Sequence, residues 1–161
     1  MGRRRLAREI ALQALYIADV AHTPAEEAFA IVTRREGDEA DAETLAFARD
    51  LALGALGKID KLDEIIQARA DNWAMNRMAA VDRNVLRLAA FELTERPDTP
   101  LGVVIDEAIE IVRKYSAEEA TRFVNGILDA LKAVREAPKP KPKRTIKPPK
   151  RDEPETEAEK P

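Results

Sequence analysis

The 161-residue chain has no cysteine, one histidine, six glycines and few aromatic residues: four Phe, two Tyr and one Trp. Without cysteine there is no disulfide, no thiolate nucleophile and no Cys-based zinc site, which suits a reducing compartment. No run of about 18 apolar residues is present, so nothing in the sequence is built to span a membrane. The N-terminus lacks the apolar core of a signal peptide, so no export is expected and the expected location is cytoplasmic. An alanine-rich chain so poor in glycine and aromatics points to an all-α protein, and its length suits one domain with a proper core.

Charge is plentiful and unevenly placed. Residues 138–161 hold eight Lys/Arg and five Asp/Glu, a balance of +3, so the net −3 of the whole chain leaves residues 1–137 at −6. An acidic body repels nucleic acid at long range, and any such ligand must be held by local basic patches.

One such patch opens the chain. Residues Arg3 to Tyr16 lack Pro and Gly and are rich in helix formers, predicting a helix from about Arg4 to Ala21. At about 100° per residue, Leu6, Ala7, Ile10, Ala11, Ala14 and Ile17 share a core-facing side. Arg5, Arg8, Glu9, Gln13 and Tyr16 gather on the opposite, solvent-facing side. Three of the four arginines stand at the helix start, where the macrodipole disfavours cations. Phosphates would explain that placement through counterion release, and a basic start that only aids solubility is the competing explanation.

Further along, Thr23-Pro24-Ala25-Glu26 reads as a capped start of a second helix that ends at Gly37. A third, long helix is expected from Asp41 to about Ala70, with Gly54 and Gly57 inside it as a close helix contact or a bend. The connector Asp71–Arg77 carries the sole tryptophan, Trp73, read as a core plug in preference to a base-stacking platform. Helices follow over 80–95 and 101–115, and Ser116-Ala117-Glu118-Glu119 reads as a capping box for a last helix fading near Glu136. The total is six to seven helices in a folded unit of residues 1–137. Beyond it, alternating Pro and Lys followed by acidic residues cannot bury a core, and residues 138–161 are expected to be a disordered accessory tail.

Catalytic constellations are poorly represented. His22 ends the first helix and reads as a surface or capping residue. Asp106, Glu107 and Glu110 share one helix with Arg113 and Lys114, which describes a solvated charged face better than an acid–base pair or a metal site. No enzyme activity, cofactor or metal is expected.

Four stretches in order are familiar as a set. Arg8-Glu9-x-Ala11-x-Gln13-Ala14-Leu15-Tyr16, Val81 to Ala89 with Phe91-Glu92-Leu93, Ile105 to Glu110, and Phe123 to Asp129 together resemble the NusB family of bacterial transcription antitermination factors. The resemblance covers roughly residues 3–132 and leaves out the tail. It implies a compact all-α fold of two packed helical subdomains and a non-enzymatic role. Family members pair with ribosomal protein NusE, and the heterodimer binds boxA RNA within a termination-resistant RNA polymerase complex, notably on ribosomal RNA operons.

By the same resemblance, Arg4, Arg5 and Arg8 match an arginine-rich RNA-contacting start, and Glu119, Arg122 and Phe123 match a second RNA-facing region. Phe123 also fits the core pattern of the last helix, so base stacking and partial burial both stand. Arg69 aligns with a further RNA-side position that is aromatic in some relatives. Tyr16 and Asp82 match the NusE-facing surface, and Asp82 suits a helix N-terminus as well. Asp106 stands where the family often has Asn, which removes an amide donor. A homodimer of the free protein through its partner surface stays open. Two other readings compete: the RNA-binding part of an rRNA cytosine methyltransferase, whose catalytic domain and cysteines are missing here, and a helical adaptor that binds only protein.

Overall fold

Alternating small and branched apolar residues at three- and four-residue steps produce helices throughout a computed structural model that describes residues 2–36, 39–71 and 73–136. These are α1 (Arg3–Val20), α2 (Ala25–Glu36), α3 (Ala42–Leu56), α4 (Ile59–Gln67), α5 (Ala80–Glu95), α6 (Leu101–Tyr115) and α7 (Glu118–Glu136). A short 3-10 turn, Met75–Arg77, precedes α5, and no strand occurs among the described residues. The expected helix end at Gly37 and the tail from Pro138 onward lie outside the described residues.

Two subdomains meet along α1 and α5. Helix α1 packs on α2 and α3, α5 packs on α6 and α7, and α4 lies against α5 and α3. Ala7, Ala11 and Ala14 of α1 are fully buried, and their small side chains let the neighbouring helices approach closely beside Ile10 and Leu15. At its C-terminal end α5 is tied down by Arg135 of α7. Its guanidinium donates to the carbonyl oxygens of Leu93 (3.2 Å), Glu92 (2.9 Å) and Arg96 (3.0 Å), and also to that of Thr99. A cation on the last carbonyls offsets the negative end of the helix dipole.

Two local expectations are corrected, and of the alternatives for Gly54 one holds. The long third helix is two helices, because Gly57 caps α3 and the chain restarts at Ile59. Gly54 serves the close contact: a methyl group there would overlap the buried Phe91 ring of α5. Ser116 does not open a capping box; it caps the end of α6, and its hydroxyl donates to Asp82 at 2.5 Å. The first acceptor of α7 is instead the Ala117 carbonyl, bonded by the amides of Ala120 and Thr121. His22 follows the end of α1 in the left-handed region, φ 53°, where the chain turns towards α2.

Candidate nucleic-acid interface

The four arginines of α1 divide sharply. Arg3 is exposed and pairs with Asp41 at 3.0 Å, the residue that also caps α3 by accepting from the Thr44 amide. Arg4 is exposed and lies 3.9 Å above the Phe47 ring of α3, a cation–π contact that holds the guanidinium at the surface. Arg5 makes a bidentate pair with Glu107 of α6, both bonds 2.8 Å. That pairing pushes the Arg5 pKa up, and the hydrogen bonds from Arg5 hold the Glu107 carboxyl below the usual carboxylate range.

Arg8 overturns the expectation of a solvent-facing side chain. It is only 3% exposed and makes a buried bidentate pair, 2.8 Å on both arms, with Glu92 of α5. Glu9 is buried as well, accepting from Lys114 Nζ (2.9 Å) and the Tyr115 hydroxyl (2.8 Å). Burial, and then Glu9, pushes the Tyr115 phenol above its ordinary value. The arc read as solvent-facing is therefore, at Arg8 and Glu9, the seam where α1 meets the second subdomain.

The second predicted region forms around α7. Glu119 and Arg122 are exposed, and Phe123 is partly buried against the core. Trp73 corrects its expectation: it is not a core plug but is 49% exposed, with its ring centroid 5.2 Å from that of Phe123 and a 50° tilt between planes. Arg69, half-buried, donates to the Ile65 carbonyl at 3.0 Å. The sequence reading missed Gln67, whose amide donates to the Trp73 carbonyl (2.9 Å) and accepts from the Met75 amide (3.0 Å), fixing the connector. A glutamine at a helix end before a Pro-free polar loop is too common a pattern to have signalled this.

Of the two residues matched to a partner surface, Tyr16 is 40% exposed on α1, next to the exposed Val20 one turn on. Asp82 is buried at 5% exposure, because it accepts the Ser116 hydroxyl and locks α5 to the end of α6. It sits in the first turn of α5, as a carboxylate suited to a helix N-terminus does. Three residues beyond Tyr16 on α1, Asp19 accepts from Arg83 (2.8 Å) and Asn84 (2.9 Å) and pairs with Arg87, which also grips Asp63 of α4 through two 2.7 Å bonds. Burial alone would raise the Asp19 carboxyl, but these hydrogen bonds and charges hold it below its ordinary value.

The acidic face of α6 does not converge. Asp106 is exposed, Glu107 is taken by Arg5, and Glu110 pairs with Arg113 at 3.2 Å. Among the described residues no group of His, Asp and Glu has the arrangement to hold a metal ion, and no helix is long and apolar enough to cross a membrane.

Fold and surface together define a class: an all-α protein of two packed helical subdomains that presents guanidinium and aromatic groups to solvent. The chain belongs to the NusB family, whose model matches residues 5–133. It is 47% identical to the transcription antitermination protein NusB of Elusimicrobium minutum, over 84% of this chain and 96% of that protein. Its structure is similar to that of T. maritima NusB, with a TM-score of 0.74 and 35% identity over 80% of this chain and 89% of the other. It is also similar to a chain in a crystal structure of antitermination factors NusB and NusE in complex with double-stranded RNA, with a TM-score of 0.75 and 30% identity. That match covers 84% of this chain and 98% of the other.

Proposed function

We propose that this chain is a transcription antitermination factor that binds boxA RNA together with ribosomal protein NusE. In this role it supports processive transcription of ribosomal RNA operons as part of an RNA polymerase complex. The observation that carries the reading is the similarity along nearly the whole helical body to a chain solved with NusE and RNA. The reading is non-enzymatic and cytoplasmic, with residues 1–137 as the binding domain and residues 138–161 as an accessory tail.

Arg4 and Arg3 are the phosphate-gripping arginines in this proposal, since their guanidiniums lie at the surface. Arg5 and Arg8 act behind them, through carboxylates that fix α1 against α6 and α5. Arg69, Glu119, Arg122 and Phe123 make the second RNA-facing region. Tyr16 is the NusE anchor, and Asp82 shapes that surface from beneath through Ser116.

The test is a titration of labelled boxA RNA with the chain, with and without NusE, at two salt concentrations. Because residues 1–137 carry a net −6, the chain alone should bind weakly, and the pair should bind tightly and lose affinity as salt rises. NusE binding with no gain in RNA affinity would leave a protein-only adaptor and overturn the reading.

A further inference from the structure

We infer that Trp73 is a base-stacking residue, which forms with Phe123 a two-ring platform for one unpaired nucleobase of the bound RNA; this rests on the RNA-binding reading above. An indole contributes most to folding when it is buried, yet Trp73, the only tryptophan in a chain short of aromatics, leaves half its surface in water. Phe123 backs the indole at 5.2 Å in a tilted pair, which supports the ring without covering it.

The platform is built in advance of any ligand. Gln67 holds the connector from one side through the Ala70 and Trp73 carbonyls and the Met75 amide. Arg83 holds it from the other, donating to the carbonyls of Met75 (3.1 Å) and Met78 (3.0 Å) while anchored on Asp19. A ring whose backbone is fixed this way loses little freedom on binding.

The surroundings favour a nucleic acid over a protein. Arg122 adjoins Phe123 and Arg77 lies in the same connector as Trp73; both are exposed and, among the described residues, neither has a carboxylate partner. Exposed cations beside an open aromatic face suit a phosphate chain with a splayed base, the guanidiniums meeting the phosphates and the ring face meeting the base. Asp71 and Glu119 are exposed in the same segments, so stacking, which every base can supply, is the main attraction here.

Trp73 reports on itself, because the chain has no other tryptophan. Titrating the full chain with a boxA RNA oligonucleotide should quench its emission in step with the anisotropy of end-labelled RNA. In the complex with NusE, Trp73→Ala should weaken RNA binding about tenfold and Trp73→Phe by no more than about threefold, with NusE affinity unchanged in both. Scanning single abasic sites through the RNA should find one position at which Trp73→Ala has no further effect. If the wild-type pair binds RNA but Trp73→Ala binds equally well, or emission stays constant at saturation, the stacking role is wrong. A loss of NusE affinity in Trp73→Ala would overturn it too, by making the ring pair a protein contact. If the wild-type pair itself fails to bind boxA RNA, the broader reading is what has failed.

Discussion

At the scale of single residues, Arg8 shows what a helical wheel leaves out. The wheel places it in solvent because it shares an arc with Arg5, Glu9, Gln13 and Tyr16, but its partner Glu92 lies 84 residues away and only the folded chain brings them together. Arg4, by contrast, was legible, since its exposure follows from its place at the helix start. The two arginines should therefore respond differently to truncation. Arg8→Ala leaves the buried Glu92 carboxylate without its partner and should cost about 3–5 kcal/mol, seen as a large fall in the denaturant midpoint. Replacing both members, Arg8→Met with Glu92→Leu, should recover most of that loss, since an apolar pair of similar volume avoids the desolvation cost. Arg4→Ala should change stability by less than about 0.5 kcal/mol while lowering the salt dependence of RNA binding by about one phosphate contact. An Arg8→Ala protein that melts like wild type would return this guanidinium to the RNA-facing surface.

At the scale of elements, periodicity and caps gave five of the helices to within two residues of their observed ends, as at 80–95 and 101–115. They failed where one residue type serves two structural purposes. Gly54 and Gly57 both read as lying inside one long helix, as a close contact or a bend, yet Gly57 ends α3, while Gly54 makes the close contact and stays helical to admit the Phe91 ring. Ser116 carried a capping-box signal but its hydroxyl is claimed by Asp82, which is 34 residues away in sequence. Trp73 was misplaced because aromatic scarcity argued for burial, and the polar clamp that holds it outward depends on Gln67 and Arg83, which no local pattern connects. The Gly54 assignment predicts that Gly54→Ala destabilises, against the ordinary preference of helices for Ala, by about 1–3 kcal/mol of overpacking. Phe91→Leu introduced with it should relieve the overlap, so the double variant should fall short of the sum of the two single losses in a thermal or denaturant melt. Additive losses would mean that Gly54 and the ring do not meet.

For the molecule as a whole, α1 is tied to α3, α5 and α6 by ion pairs as well as packed on its neighbours through apolar contacts. Asp19 joins it to α5, Arg5–Glu107 joins it to α6, and Arg3 reaches the Asp41 cap of α3. In all three cases the carboxyl is held below its ordinary value: Asp19 despite its burial, Glu107 through Arg5, and Asp41 through the Thr44 hydrogen bonds. A carboxyl with a depressed folded-state pKa stabilises the fold above its unfolded value, about 4, and that contribution is lost as the pH falls below it. Stability should thus be level from about pH 5 upward through neutrality and fall steeply below about pH 4. Asp19→Asn keeps the shape but removes the charge that Arg83 and Arg87 share, and should cost about 2 kcal/mol at neutral pH. It should also flatten the acid limb, because one of the protonations that drives it is gone. Thermal melts of the wild type and Asp19→Asn between pH 3 and pH 7 decide the matter. Parallel curves would place the acid sensitivity elsewhere, whereas curves that converge at low pH would make the Asp19 cluster the electrostatic joint between the two subdomains.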